Sequence, residues 1–265
     1  MALSPRVMGI VNVTPDSFFP DSRTQSAEAA IARARSHFAA GADVVDVGGE
    51  STRPGASPVD VAEELARVIP VIEALRGAGE ISVDTQKPQV AREAVLAGAR
   101  IINDESGQLV ELAGELGVGY VAMHRLAPSI TEGDARYEDV VAEVLGFLES
   151  AAGRARAAHV RRLWLDPGIG FNKDVAHNLA LLAHLDELVE LARRYGAEVL
   201  VGTSRKRFLA HLGERVLQVE ERLEGSLASE AWAMLCGVDL VRVHDVSAAV
   251  LARELLVREP SQVGA

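Results

Sequence analysis

One unit recurs along this chain and limits its fold more than any other feature. A helical stretch ends, a glycine follows, and two residues later an apolar strand begins. It appears as Gly41-Ala-Asp-Val-Val-Asp-Val, Gly98-Ala-Arg-Ile-Ile-Asn, Gly117-Val-Gly-Tyr-Val-Ala-Met, Gly196-Ala-Glu-Val-Leu-Val and Gly237-Val-Asp-Leu-Val-Arg-Val. Gly79-Glu-Ile-Ser-Val is a shorter form. Glycine suits the position after a helix because it enters the left-handed region without a Cβ clash. The strands that follow are short and apolar throughout, as parallel strands covered on both faces must be.

With Val7 to Val11 and Leu163 to Leu165 added, the pattern predicts strands near 7–11, 44–47, 81–83, 100–102, 119–123, 162–165, 198–201 and 240–243. Helical stripes lie between them. Val61, Leu65, Val68, Ile72 and Leu75 share one face, and Pro70 predicts a kink there. Leu182, Leu185, Val189 and Ala192 make a second stripe, read as one helix. Eight alternations of strand and helix close into a (β/α)8 barrel, which typically needs about 250 residues. The expectation is an α/β TIM barrel occupying 1–265 as a single domain, with a doubly wound open sheet as the alternative.

A hydrophobic content of 48% fills such a core and argues against disorder. The net charge of -11, with no block of Lys or Arg, excludes nucleic acid as a partner. The lone Cys236 forbids an intrachain disulfide and reads as a buried helix residue. No basic segment followed by an apolar core opens the chain, and no apolar run approaches the roughly 20 residues that span a bilayer. The expected location is the cytoplasm, away from membranes.

The residues after each strand carry the chemistry. They are Asn12, the Gly48-Gly49-Glu50-Ser51-Thr52-Arg53 segment, Asp84-Thr85, Asn103-Asp104, His124, Asp166, Ser204-Arg205-Lys206, and Arg242 with His244. In a barrel these ends converge on one mouth, where catalysis and binding reside. Asp84, Asn103 and Asp166 suit a heterocycle edge of amino, ring N–H and carbonyl groups, because each buried polar group needs a partner. A divalent metal held by these carboxylates is the competing reading. Arg242 and His244, two apart, predict a small cationic pocket that with Asn12 suits a phosphate group. Neither glycine-rich stretch has the spacing of a dinucleotide fingerprint or a P-loop.

Taken together, seven segments are similar to dihydropteroate synthase. They are Met8 to Phe18, Asp46 to Gly55, Ser82 to Thr85, Ile101 to Asp104, Asp166 to Phe171, Gly202 to Lys206, and Arg242 to Val246. The resemblance implies condensation of 6-hydroxymethyl-7,8-dihydropterin diphosphate with 4-aminobenzoate to give 7,8-dihydropteroate. It implies that Asp84, Asn103, Asp166 and Lys206 hold the pterin, while Asn12, Arg242 and His244 hold the diphosphate. Mg2+ would bridge the diphosphate oxygens, with Asn12 as its protein contact. Thr52, Arg53, Pro54, Phe171 and Ser204 would border the aminobenzoate, and Phe18 would lie on a loop closing over it. Asp84, Lys206, Arg242 and His244 would carry the catalysis, in a homodimer acting on small molecules.

The chain departs from the family pattern at three places. Phe19-Pro20-Asp21-Ser22 stands where Ser-Asp-Gly-Gly is usual. Glu105 stands where an apolar residue commonly precedes the serine. Arg125-Leu126-Ala127 follows His124 in place of Met-Gln-Gly. These bear on loop motion and efficiency more than on substrate identity. Two rivals remain: a paralogue that binds pterin without turnover, and a methyltetrahydrofolate-dependent methyltransferase, which would not need Ser204, Arg205, Lys206, Arg242 and His244 for a diphosphate.

Overall fold

The structure, a computed structural model, describes residues 5–13, 27–51, 58–126 and 135–257. Its strands are Arg6–Asn12 (β1), Val44–Gly48 (β2), Glu80–Asp84 (β3), Ile101–Asp104 (β4), Gly119–Met123 (β5), Leu163–Asp166 (β6), Glu198–Val201 (β7) and Leu240–Val243 (β8). Each pairs in parallel with the next, and β8 returns to β1 with Gly9 opposite Val243. The barrel is closed, which removes the open-sheet alternative. Every strand lies within two residues of its expected bounds.

The helices are Ala27–Ala39 (α1), Val61–Ala74 (α2), Pro88–Ala97 (α3), Val110–Leu116 (α4), Val140–Ala157 (α5), Val175–Ala183 (α6), Leu185–Arg194 (α7), Leu223–Leu235 (α8) and Val246–Val257 (α9). α2 starts at the Asp60 side chain, which accepts from the Glu63 N–H, and continues through Pro70 as one run. The stripe from Leu182 to Ala192 belongs to two helices, not one. His184 ends α6 and begins α7, yet Leu182 and Leu185 on either side of the break are both buried. Periodicity therefore survived the break. Cys236 caps the end of α8 and is half-buried, less enclosed than expected.

Two apolar layers form around the sheet. Val7, Val45, Val47, Val83, Ile102 and Val241 face outward onto the helices. Met8, Val44, Ile101, Val121, Trp164, Leu200 and Leu240 fill the barrel interior. Below this plug, at the amino ends of the strands, Arg6 pairs with Glu198 and lies 3.8 Å from Glu80. Arg162 reaches Glu80 at 2.7 Å. The Arg162 and Arg6 guanidiniums also lie 4.6 Å and 5.6 Å from the Trp164 ring centroid. The lower rim is thus closed by charge pairs over an aromatic floor, so it serves stability and leaves the upper rim for ligands.

Trp164 has no solvent exposure and is the largest such side chain. Trp164→Ala should cost about 3–5 kcal/mol in reversible chemical denaturation, because the interior cannot collapse into the space. A loss below about 1 kcal/mol would contradict a packed interior.

Candidate active site

Side-chain alternation sorts the strand ends into those that face the mouth and those that do not. On β2 the neighbours Val45 and Val47 join the outer layer, so Asp46 between them points into the barrel, fully buried. Its Oδ2 accepts from Arg242 Nε at 2.7 Å and from Asn103 Nδ2 at 3.0 Å. The same guanidinium donates from Nη2 to Asp84 Oδ2 at 2.8 Å. Arg242 is therefore forked between two carboxylates, linking β8 with β2 and β3, while Asn103 brings in β4. Burial opposes the guanidinium charge, but Asp46 and Asp84 outweigh it and raise the pKa. For Asp84, burial is the larger effect: its carboxyl is raised well above the ordinary value despite Arg242, with Asp46 and Glu105 adding to the rise.

The opposite side of the mouth is built by the loop after β6. Gly168 has φ +65, and a Cβ there would sit 1.9 Å from the His124 carbonyl oxygen, so only glycine fits. Its N–H donates to Asp166 Oδ1 at 2.7 Å, which fixes the carboxylate. Lys173, fully enclosed, donates at 3.0 Å to the carbonyls of Gly168 and Phe171 and contacts His124 Nδ1 at 3.0 Å. Lys206 donates to the Ile169 carbonyl and lies 4.6 Å from the Phe171 ring centroid. Burial raises the Asp166 carboxyl, against the pull of Lys206. Burial also lowers Lys206 to about 8, with Asp166 opposing the fall.

Arg205 adopts φ +56 in the turn after β7. Its guanidinium forks onto Asp245 at 2.7 and 2.8 Å, and its N–H donates to Ser226 Oγ at 2.8 Å. It anchors the loop that carries Ser204 and Lys206. Ser204 Oγ in turn accepts from the His244 backbone N–H at 3.1 Å. Gly48 leaves a cradle between Asn12 and Asp84: a Cβ there would lie 3.8 Å from Asn12 Oδ1 and 3.4 Å from Asp84 Cβ. Among the described residues no three His, Cys, Asp or Glu side chains cluster as a metal cage. A hard cation could take the Asn12 amide oxygen, but most of its ligands would have to come from a bound anion.

Asp84, Asn103, Asp166, Phe171, Lys206 and Arg242 thus stand in two bonded groups on strand ends of one rim, with Ser204 and His244 joined beside them. Phe18, Thr52, Arg53 and Pro54 lie outside the described residues. Three expectations change. His124 turns away from the mouth, edge-on to Phe147 at 5.0 Å, and burial lowers its pKa to about 3. Asp104 likewise faces the helices, accepting from Tyr120 Oη at 2.9 Å. The Arg242 pocket is not a bare cation either, because a buried guanidinium requires acceptors. Asp46 and Lys173 were not singled out from the sequence. The polar residue inside Val-Val-Asp-Val-Gly was the available signal for Asp46.

The chain matches the family described as pterin binding enzyme over residues 8–244. It is 44% identical over 264 residues to the dihydropteroate synthase of Escherichia coli (strain K12), covering 95% of this chain and 90% of that protein. The chain belongs to the dihydropteroate synthase family. A Xanthomonas albilineans dihydropteroate synthase solved with 4-aminobenzoic acid superposes with a TM-score of 0.85 and 49% identity, covering 95% of this chain and 92% of that one. The same enzyme in complex with 7,8-dihydropteroate gives 0.82 and 46%, with 95% and 92% covered. Family membership removes the reading of the chain as a methyltransferase.

Glu230 on α8 is buried beside the Ser204–Arg205 turn, among the buried Ser226, Ala233 and Met234 of the same helix. Burial pushes its carboxyl from 4.5 up to about 8, aided by Asp245 and opposed by the Ser204 hydroxyl and Arg205. The folded value lies above the unfolded one, so the native state keeps a proton that the unfolded chain releases. Stability from this group is full below the unfolded pKa and is lost as pH rises toward the folded one. Melting curves at about pH 5 and about pH 8 should therefore show Glu230→Gln gaining on the wild type as pH rises. An offset that stays constant with pH would contradict the assignment.

Proposed function

We infer that this chain joins 6-hydroxymethyl-7,8-dihydropterin diphosphate to 4-aminobenzoate, forming 7,8-dihydropteroate and releasing diphosphate, as a transferase of folate synthesis. The observation that carries this reading is the Arg242 fork, which sets an anion-binding cation directly beside the carboxyl groups a pterin edge needs. The 4-aminobenzoic acid and 7,8-dihydropteroate named in the Xanthomonas complexes support the same ligands here. The catalytic unit is taken as one pterin-binding barrel over 1–265.

Rupture of the C–O bond to diphosphate places negative charge on the leaving group and positive charge on the pterin methylene. Arg242 and His244 stabilise the first from fixed positions at the end of β8. Asp84 and Asp166 stabilise the second, and the site must exclude water while it exists. The aniline nitrogen then forms the new C–N bond and gives up one proton. Asn103 and Lys206 orient the pterin by accepting and donating at its polar edge. Since Lys206 is lowered to about 8, its contribution to pterin affinity falls as pH rises through that value. Mg2+ held by the diphosphate and Asn12 would neutralise part of the leaving-group charge. Phe171 and Ser204 border the aminobenzoate, and Phe18, Thr52, Arg53 and Pro54 join them by resemblance alone.

The chain acts as a homodimer in the cytoplasm. The apolar side chains Trp232, Leu235, Leu251 and Leu255 on α8 and α9, 50 to 79% exposed, support a face covered by a second copy. The lone cysteine supports a reducing compartment.

A coupled pyrophosphate-release assay should give product only when pterin diphosphate and 4-aminobenzoate are both present. Lys206→Ala should weaken pterin-diphosphate binding about tenfold or more, about 1.4 kcal/mol, with the melting temperature nearly unchanged. No release from the wild-type chain with both substrates would overturn the reading, and unchanged affinity would remove Lys206 from the site.

A further inference from the structure

Two of the departures from the family pattern, twenty residues apart in sequence, meet in space. Arg125 Nη1 lies 2.5 Å from Glu105 Oε1. That oxygen also accepts from Gln86 Nε2 at 2.6 Å. Each substitution explains the other, since a buried charge introduced alone would stand uncompensated. The pair lies at the mouth. Glu105 follows Asn103 by two residues and continues the alternation past Asp104, whose side chain faces the helices. Its charge reaches both Asp84 and Lys206. The Arg125 guanidinium lies 5.6 Å from the centroid of the Phe171 ring, which also carries the Lys206 ammonium.

Arg125 and Gln86 both use the same oxygen of the Glu105 carboxylate. Here Glu105 is 6% exposed, and its Oε2 is buried without a hydrogen-bond partner among the described residues. Leaving such an acceptor unmatched costs about 1–3 kcal/mol, which a ligand donor would recover. The substrate read for this mouth is rich in ring and exocyclic N–H groups.

We propose that Glu105 and Arg125 form a specificity-determining wall of the pterin slot, in which Glu105 Oε2 accepts a hydrogen bond from an N–H of the pterin. Arg125 holds the other carboxylate oxygen and packs on Phe171, so the acceptor is oriented and the aromatic ring is fixed. This rests on the reading of the substrate as a pterin.

Two variants test it. Glu105→Gln keeps the shape and removes the anion. The double change Glu105→Val with Arg125→Met restores apolar side chains at both positions and leaves no orphan charge. Calorimetry with pterin diphosphate on the intact protein should read binding weakened about tenfold in both variants. The KM for 4-aminobenzoate should stay within about twofold in Glu105→Gln, which leaves Arg125 packed on Phe171, a split that general loosening of the fold would not produce. Pterin-diphosphate binding within about twofold of the wild type in either folded variant overturns the proposal. So does a parallel loss for both substrates in Glu105→Gln. Because binding is read without turnover, a wild-type chain that bound pterin diphosphate but released no pyrophosphate would sink the functional reading and leave this one standing.

Discussion

The candidate site depends on one guanidinium. Arg242 rises from the inner face of β8 and is held by Asp46 on β2 and Asp84 on β3. Neither charge could be buried alone at tolerable cost, but the fork satisfies them together. The arrangement also decides electrostatics. Burial raises the Asp84 carboxyl against the pull of Arg242, while the guanidinium, shared between Asp84 and Asp46, keeps a fixed place. A diphosphate bound as proposed would meet a cation already oriented by the sheet. That is preorganisation supplied by strand register, not by loop closure.

The loop after β6 depends on a different set of constraints. Gly168 must be glycine, because the His124 carbonyl occupies the space a side chain would need. Lys173 then ties the loop down through two of its own carbonyls and His124. An ammonium has three donors, and three acceptors surround this one. Burial lowers Lys173 to about 7 against the pull of Asp166, with Lys206 adding to the fall, while the three acceptors favour its charged form. Lys206 and Phe171 sit on this scaffold, so the side chains proposed to meet the pterin and the aminobenzoate on this side inherit their rigidity from a residue that does not face the mouth.

Much of this was legible in the sequence. The Gly-x-x-strand unit located six of the eight strands, because glycine after a helix and uniform hydrophobicity in a doubly covered strand are local requirements, and the apolar runs at Val7 to Val11 and Leu163 to Leu165 gave the other two. Reading the residue after each strand found Asp84, Asn103, Asp166, Lys206 and Arg242. It also admitted His124 and Asp104, which alternation turns toward the helices. Asp46 escaped the rule because it sits inside its strand, one layer below the rim. Lys173 escaped because its partners are backbone carbonyls, which carry no residue-type signal. The break between α6 and α7 escaped because His184 interrupts the helix without disturbing the buried stripe. The pairing of Glu105 with Arg125 required the third dimension: in sequence they are two unrelated departures.

The central claim is that Asp46 acts on the anion site through Arg242. It is tested most directly by a double-mutant cycle on the binding of inorganic pyrophosphate with Mg2+, using Asp46→Asn, Arg242→Ala and the combination. The account predicts that Asp46→Asn weakens binding when Arg242 is present and does not weaken it when Arg242 is absent, with a coupling energy of about 1 kcal/mol or more. Additive effects, with coupling below about 0.3–0.5 kcal/mol, would mean that Arg242 holds its place without Asp46 and would contradict the account.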